Sequence, residues 1–210
     1  MCADATGPPP APTVHVVDDD ASFLRAVSRL LRLSGFQVAA YSSAAGFLAE
    51  LDPSAAGCVI ADLQMPGMDG MALQEALQAA GSPLPVVFLT GRGDIPQSVK
   101  AMRRGAEDFL TKHATKEDLI AAVKRALARN ARERSERARL SALRRSLERL
   151  TPREREVLGH VVRGRLNKQI AADLGIHERT VKLHRTAITA KLKVQSVAEL
   201  TRLCLEAGEV

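Results

Sequence analysis

Short apolar runs alternate with longer amphipathic segments through the first 128 residues of the chain. The runs that predict strands are Thr13–Val17, Gln37–Tyr41, Gly57–Ala61, Pro85–Leu89 and Glu107–Leu110. The segments that follow helical spacing lie near 21–34, 43–51, 70–80, 95–104 and 115–128. This alternation predicts a parallel sheet with helices on both faces. We therefore expect an α/β doubly wound (βα)5 domain with a five-stranded parallel sheet over residues 12–128, preceded by a disordered leader at 1–11.

A long helix is predicted after the last strand. No Gly or Pro occurs from Thr115 to Leu150, and Thr115 and Asp118 have the spacing of a capping box. One helix can therefore continue through residues 129–149, which we interpret as a helical linker. Four leucines here follow the 3-4-3 spacing of a coiled-coil seam, and they are Leu140, Leu143, Leu147 and Leu150. This stripe leaves two interpretations open, a solvated linker and a linker that dimerises.

Residues 150–210 predict a small all-α domain. The segment Thr151–Glu154 supplies a cap, a first-turn proline and an acid three residues after the cap, which together start a helix. Two further helices are predicted at Asn167–Leu174 and from about Glu178 to Leu192, with a sharp turn at Gly175. A helix, a glycine turn and a second helix form the outline of a DNA-binding unit.

The composition excludes several classes of protein. Hydrophobic residues make up 46% of the 210 positions, so the chain can form a core. No apolar run approaches the ~20 residues that cross a bilayer, and the start of the chain carries no secretory signal pattern. Three scattered cysteines suit neither a disulfide framework nor a metal site. We expect a soluble protein in the cytoplasm.

The net charge of +6 is unevenly distributed along the chain. Residues 12–128 carry 11 basic and 13 acidic side chains, residues 129–149 carry 8 and 3, and residues 150–210 carry 11 and 7. An acidic first half and a basic second half predict two domains with different chemistry, and the basic half favours an anionic partner.

Acidic residues follow two strands that flank the crevice of a five-stranded doubly wound sheet. Asp18 and Asp19 end the first strand, and Asp62 ends the third. These carboxylates should converge where the strand order reverses. Like charges repel unless a cation holds them, and carboxylate oxygens are ligands that suit Mg2+. Three nearby acids have simpler interpretations. We expect Asp20 to cap the first helix, Asp69 to stabilise a turn and Asp94 to cap the fourth helix.

The fourth and fifth strands bring further polar groups to the same edge. The fourth strand ends in Thr90-Gly91, which places a hydroxyl next to a small residue. The fifth strand contains Phe109 and is followed by Lys112. Acids, a metal ion, a hydroxyl and an ammonium group together suit the stabilisation of a transferring phosphoryl group.

Helical periodicity assigns two faces to the second helix of the basic domain. The core face should hold Val181, Ile188 and Leu192, with His184 beside them, and the outer face holds Arg179, Lys182, Leu183 and Thr186. Such an outer face fits a major groove, because the cations can bind phosphates or guanine edges and the leucine can contact a thymine methyl. At the start of the preceding helix, Asn167 and Lys168 are predicted to contact phosphates. A basic helical adaptor that does not bind DNA is the alternative.

Two motifs of the first domain resemble the receiver domain of bacterial two-component response regulators over residues 13–128. They are Val16–Asp19 and the run Asp62–Gly70. Phe109, in place of the more widespread tyrosine, and the run Thr90–Asp94 resemble the FixJ-type branch of that family. The resemblance implies a histidine kinase as a partner.

The resemblance also implies roles for the acidic residues. Asp62 would accept the phosphoryl group from the kinase. Asp19 and Asp62 would hold Mg2+ together with the backbone carbonyl of Gln64, and Asp18 would act through water.

The resemblance assigns Thr90 and Lys112 to the phosphoryl oxygens, and Thr90 with Phe109 to a switch pair. One departure concerns Lys112, because most receivers follow this lysine with proline through a cis bond, whereas here His113 and Ala114 follow. A cis bond without proline is unfavourable by about 2.5–4 kcal/mol. The departure leaves open whether the loop is rearranged and how far Lys112 reaches; His113 is either a tolerated substitution or an added pH-sensitive group.

The basic domain resembles the LuxR/NarL-type helix-turn-helix. The matching segments are Leu150–Leu158, Asn167–Ala171, Thr180–His184 and Lys191–Val194. The order of the two resemblances is that of a FixJ-like transcriptional regulator, which is not an enzyme. It implies that phosphorylation controls homodimerisation and binding to double-stranded DNA, and we expect RNA polymerase as a further partner.

Two rival functions remain at this point. A Mg2+-dependent phosphohydrolase could use the same acids, but it needs its own base, and Gln64 stands two residues beyond Asp62. A constitutive DNA-binding protein could carry a receiver degraded at Lys112-His113.

Overall fold

The computed structural model describes residues 11–52, 54–91 and 95–208, without the side chains of 95–98. The chain forms two compact units, Met1–Arg134 and Ser135–Val210. Their boundary falls inside the segment 129–149 that the sequence predicts as a linker. Residues 1–10 of the predicted leader and the predicted helix cap Asp94 lie outside the described residues.

The first unit contains a five-stranded parallel sheet with the order β2-β1-β3-β4-β5. Its strands are β1 (Thr13–Val17), β2 (Gln37–Tyr41), β3 (Gly57–Asp62), β4 (Val86–Thr90) and β5 (Asp108–Thr111). The predicted fold class is confirmed. Strand β4 begins after Pro85 because proline has no N–H for the ladder, although its carbonyl accepts a hydrogen bond from the Val59 N–H at 2.9 Å.

Helices cover both faces of this sheet, and apolar clusters pack on each side. They are α1 (Ala21–Leu33), α2 (Ala44–Glu50), α3 (Gly70–Ala79), α4 (Ile95–Arg103) and the first part of α5 (Lys116–Glu148). The predicted cap of α1 is confirmed, since Asp20 accepts hydrogen bonds from the N–H groups of Ser22 and Phe23. Asp69 does more than stabilise a turn, because it caps α3 through the N–H of Ala72 at 2.7 Å.

Helix α5 begins at the predicted capping box, where the Asp118 N–H donates to Thr115 Oγ1 at 3.1 Å. The buried side chain of Asn130 attaches the helix to the first unit. Its Oδ1 accepts from the Gly57 N–H at 3.0 Å, and its Nδ2 donates to the Pro83 carbonyl at 2.7 Å. Residues from Ser135 onward belong to the second unit.

Among its described residues, the second unit contains four further helices. They are α6 (Pro152–Val162), α7 (Asn167–Leu174), α8 (Glu178–Leu192) and α9 (Val197–Ala207). The capping box of Thr151 and Glu154 starts α6, and Gly175 ends α7 with a φ of +64°, a conformation that glycine adopts without steric penalty. Within the described ranges, no helix has the length and apolar character needed to cross a membrane.

The leucine stripe at the end of α5 and just beyond it contributes to the core of this unit. Leu147 and Leu150 are buried against the helices of the second unit, and Leu143 packs on the same cluster. Leu147 and Leu150 therefore pack in the core of their own domain, whereas Leu140 and Leu143 are half-buried.

Candidate functional site

Three carboxylates converge at the carboxyl ends of β1 and β3. Oxygen atoms of Asp18, Asp19 and Asp62 lie within 4.8 Å of one another. Asp18 and Asp62 are 1% and 7% exposed, whereas Asp19 is exposed. Adjacent parallel strands bring these acids together, as their positions at the strand ends predict.

Lys112 inserts between the two buried carboxylates. Its Nζ atom lies 2.7 Å from Asp18 Oδ2 and 2.8 Å from Asp62 Oδ2. The backbone of the loop is held by a hydrogen bond from the Lys112 N–H to the Thr90 carbonyl at 2.7 Å. The described residues contain no cis peptide bond, so Lys112 reaches the acids with a trans bond to His113.

Burial and ion pairing act on the pKa values of this cluster in opposite directions. Burial raises the pKa of Asp18 above its usual value, although the hydrogen bond from Lys112 opposes the shift. Burial alone would lower the pKa of Lys112, but its hydrogen bonds and charge interactions with Asp18 and Asp62 outweigh that effect and raise it. Lys112 is therefore a fixed positive charge at neutral pH.

Backbone groups and a glycine position Asp62. The Gln64 N–H donates to Asp62 Oδ1 at 3.2 Å, which places the backbone of Gln64 beside the carboxylate. A Cβ atom on Gly70 would lie 2.4 Å from the Asp62 carbonyl oxygen and 3.0 Å from Phe88 Cε1. Only glycine fits at this approach of α3 to the end of β3.

The remaining predicted residues lie along the same sheet edge. Thr90 ends β4 and is 2% exposed. Phe109 on β5 is half-buried, and its ring centroid lies 6.4 Å from that of Phe88. Gly91 follows Thr90 at the exposed rim, where an added Cβ would meet nothing within 4 Å.

This donor set fits a hard divalent cation. Three carboxylates supply oxygen ligands, and the exposed position of Asp19 leaves room for water molecules that Mg2+ retains. The ammonium of Lys112 supplies a positive charge in direct contact with the carboxylates of Asp62 and Asp18.

An aromatic side chain that the sequence pattern does not indicate also borders this site. The Lys112 Nζ atom lies 4.5 Å from the centroid of the Phe23 ring, a cation–π distance. The pattern of α1 marks Phe23 as an apolar position, but it carries no signal for the lysine, which is far away in sequence.

In the second unit, α8 presents the two faces that periodicity predicts. Val181, Ile188 and Leu192 are buried, and His184 is half-buried beside them. The outward residues are all exposed, and they are Arg179, Lys182, Leu183 and Thr186. Leu183 is 64% exposed.

The predicted phosphate contacts at the start of α7 differ in their surroundings. Lys168 is exposed. Asn167 is half-buried, and its Oδ1 accepts a hydrogen bond from Arg185 Nη1 at 2.8 Å. Arg185 lies between the two faces of α8, so helical periodicity assigns it to neither of them.

Two family models match the chain, one on each unit. The model of the response regulator receiver domain matches residues 14–124. The model of bacterial regulatory proteins of the luxR family matches residues 148–204. The chain belongs to the response regulator family. The LuxR-family unit of this response regulator is a DNA-binding domain.

Curated relatives of the response regulator match along nearly its whole length. It is 44% identical over 193 residues to the response regulator protein TodT of Pseudomonas putida. This alignment covers 92% of this chain and 85% of the relative. It is 41% identical over 195 residues to the transcriptional regulatory protein FixJ of Azorhizobium caulinodans, which covers 93% and 92%.

Solved structures agree with this assignment. The response regulator StyR matches with a TM-score of 0.84 and 44% identity, over 93% of this chain and 99% of that chain. Full-length FixJ from B. japonicum matches with a TM-score of 0.58 and 35% identity, over 95% and 98%. The domain composition implies a histidine kinase and DNA as partners of a transcriptional regulator.

Proposed function

We propose that this response regulator is a phosphorylation-gated transcription factor. A histidine kinase phosphorylates Asp62, and the phosphoryl group controls dimerisation and sequence-specific DNA binding. The observation that carries the proposal is the position of Asp62, which is buried beside two further acids with the Lys112 ammonium 2.8 Å from its carboxylate.

Phosphoryl transfer requires an attacking carboxylate and compensation of the phosphoryl charge. One oxygen of Asp62 forms a bond to phosphorus as the bond between phosphorus and the kinase histidine breaks, and the released imidazole takes up a proton. Lys112 and the Thr90 hydroxyl contact the phosphoryl oxygens. Because Lys112 is already paired with Asp62, its charge needs little reorganisation.

Asp19, Asp62 and the backbone carbonyl of Gln64 would hold Mg2+, with Asp18 acting through water. When bound, Mg2+ neutralises charge on the phosphoryl oxygens and on the crowded carboxylates. The Gln64 N–H bonded to Asp62 supports this assignment, because it keeps the loop backbone at the site.

A switch pair would link Asp62 to the surface of the domain. The Thr90 side chain moves toward the phosphoryl group, and Phe109 then turns into the space that Thr90 leaves. The half-buried position of Phe109 next to Phe88 supports this step, because the ring is not fully enclosed and would be buried further by an inward turn. The rearranged surface of α4, β5 and α5 pairs with a second receiver, a coupling that needs only ~1–3 kcal/mol.

In the dimer, two copies of α8 read half-sites about one DNA turn apart. The exposed face of Arg179, Lys182, Leu183 and Thr186 enters the major groove. Lys168 and Asn167 contact the backbone. RNA polymerase would be the partner through which the bound dimer changes transcription.

Phosphorylation with acetyl phosphate and Mg2+ tests this function. For the wild type, we expect dimerisation in sedimentation experiments and tighter footprints on operator DNA. Asp62→Asn should show neither response, whereas the control Asp69→Asn should respond, since asparagine still caps α3. An equal response of Asp62→Asn and the wild type would remove Asp62 from the mechanism.

The same samples test the two rival functions. Catalytic turnover of a phosphomonoester would favour a phosphohydrolase. A DNA affinity that does not change on phosphorylation would favour a constitutive DNA-binding protein.

A further inference from the structure

An open cavity of about 720 Å³ lies beside the outer face of α8 in the second unit. It is bordered by the loop before α7, the first turn of α7, one flank of α8 and the start of α9. Its charged residues are Arg165, Lys168, Arg185 and Glu178.

Positive charge predominates in this cavity. Three cationic side chains face a single acid, Glu178, whose Oε1 atom lies 3.9 Å from Lys182 Nζ. Arg165 and Lys168 are exposed, and Arg185 is half-buried. An anion is the ligand that this arrangement attracts.

The cavity borders the surface that would enter the major groove. Glu178 and Arg185 are seven residues apart, so they lie on one flank of α8. Helical geometry places that flank next to the exposed Lys182. When a helix lies in the major groove, its flanks face the sugar–phosphate backbones. The chemistry and the position of the cavity therefore both suit a DNA phosphate.

Arg185 also holds a second polar residue of this cavity. Its Nη1 atom donates to Asn167 Oδ1 at 2.8 Å, and Asn167 lines the same cavity. The contact connects the start of α7 to the middle of α8. The guanidinium has further N–H donors for a second acceptor.

We propose that this cavity receives one backbone phosphate of bound double-stranded DNA, and that Arg185 contacts this phosphate and positions Asn167. Arg165 and Lys168 contribute the rest of the positive charge. The inference rests on the proposed DNA binding of α8. It adds a contact to the DNA backbone that does not depend on the base sequence.

Arg185→Gln in the full-length protein tests the inference, with Arg202→Gln as the control. Arg202 is an exposed arginine on α9 that does not border the cavity. Affinities for operator DNA and for an unrelated duplex are measured at several salt concentrations. We expect Arg185→Gln to weaken both affinities about tenfold and to reduce the salt slope by about one. Arg202→Gln should change neither.

A second variant separates a phosphate contact from a structural role. Arg185→Lys keeps the charge, so we expect it to retain the salt slope of the wild type. In a double-mutant cycle for DNA affinity, Arg185→Gln and Asn167→Ala should be non-additive, because one side chain holds the other.

Three results would overturn the inference. They are an unchanged affinity of folded Arg185→Gln, a weakened affinity with an unchanged salt slope, and saturable binding of inorganic phosphate that does not compete with DNA. If the wild-type protein binds no duplex at all, the proposed function itself fails.

Discussion

Lys112 Nζ lies 2.8 Å from Asp62 Oδ2, although His113 follows the lysine where most receivers have proline. The same ammonium lies 2.7 Å from Asp18. Lys112 thus pairs its single positive charge with two of the three carboxylates, of which Asp62 would bind Mg2+ directly and Asp18 through water. The lysine and the cation compete for the same negative charge.

This competition predicts the behaviour of Lys112→Met. The substitution leaves two buried carboxylates without their cation, so we expect a loss of about 1–3 kcal/mol in the free energy of unfolding. Addition of Mg2+ should raise the melting temperature of the variant more than that of the wild type, because Mg2+ replaces the missing charge. Phosphorylation by acetyl phosphate should be at least about tenfold slower.

The matched control for this variant is Lys116→Met. Lys116 is exposed nearby, at the first position of α5, and its substitution removes the same charge. We expect its Mg2+ response to equal that of the wild type. Equal Mg2+ responses of Lys112→Met and Lys116→Met would mean that Lys112 does not compete with the ion.

Gly70→Ala should distort the phosphorylation site through the backbone. The added Cβ lies 2.4 Å from the Asp62 carbonyl oxygen, so α3 or the end of β3 must move. We expect destabilisation of more than about 2 kcal/mol in urea unfolding, together with slower phosphorylation. Gly159→Ala is the control. Gly159 lies inside α6, and its added Cβ would meet only the flexible end of the Arg163 side chain. A fully stable and active Gly70→Ala would contradict this close packing.

The sequence predicts the sheet and its acidic edge because both depend on local patterns. Each strand is a short apolar run, and Asp18, Asp62 and Thr90 directly end their strands. The order of parallel strands then brings these residues to one edge. No contact between distant side chains has to be known for this step.

Side-chain contacts between residues that are far apart in the chain cannot be predicted from the sequence pattern. Asn130 bonds to residues that are 73 and 47 positions away, and nothing in its surroundings distinguishes it from other polar residues of a helix. The leucine stripe is ambiguous for a related reason. The spacing of Leu147 and its neighbours is the same whether they pack against a second chain or in the core of their own domain. The structure places it in its own core.

His15 on β1 predicts a loss of stability in mildly acidic solution. The side chain is buried against Tyr41 and Phe47, and neither ring nitrogen has a hydrogen-bond partner among the described residues. Burial lowers the pKa of His15 below 6.5. As the pH drops, His15 therefore binds a proton in the unfolded chain before it does so in the folded chain. The free energy of unfolding should fall by up to about 1.4 kcal/mol per pH unit between pH 6.5 and the pKa of His15 in the folded state.

Urea unfolding between pH 8 and pH 5 measures this effect. His15→Phe should remove this part of the pH dependence and retain the ring packing. If His15→Phe and the wild type lose stability in parallel, His15 does not titrate in this range.

Two lysines of α8 should separate stability from DNA binding. Lys191 Nζ lies 2.9 and 2.6 Å from the carboxylate oxygens of the buried Glu154, which also accepts the Thr151 N–H at 2.7 Å. Lys182 is exposed, and its nearest acidic partner, Glu178, is 3.9 Å away. Lys191→Met should therefore destabilise the second unit by about 2 kcal/mol, whereas Lys182→Met should change stability by less than about 0.5 kcal/mol.

DNA binding by the folded variants should follow the opposite order. Lys182→Met removes a side chain from the outer face of α8, so we expect weaker operator binding and lower discrimination against unrelated DNA. Lys191→Met should bind normally where it is folded. The hydrogen bonds from Lys191 and Thr151 lower the pKa of Glu154, so their stabilisation is present above pH 4.5 and is lost as the pH falls through the folded pKa. The stability difference between the wild type and Lys191→Met should therefore narrow in acid; a difference that stays constant would show that Lys191 contributes packing rather than charge.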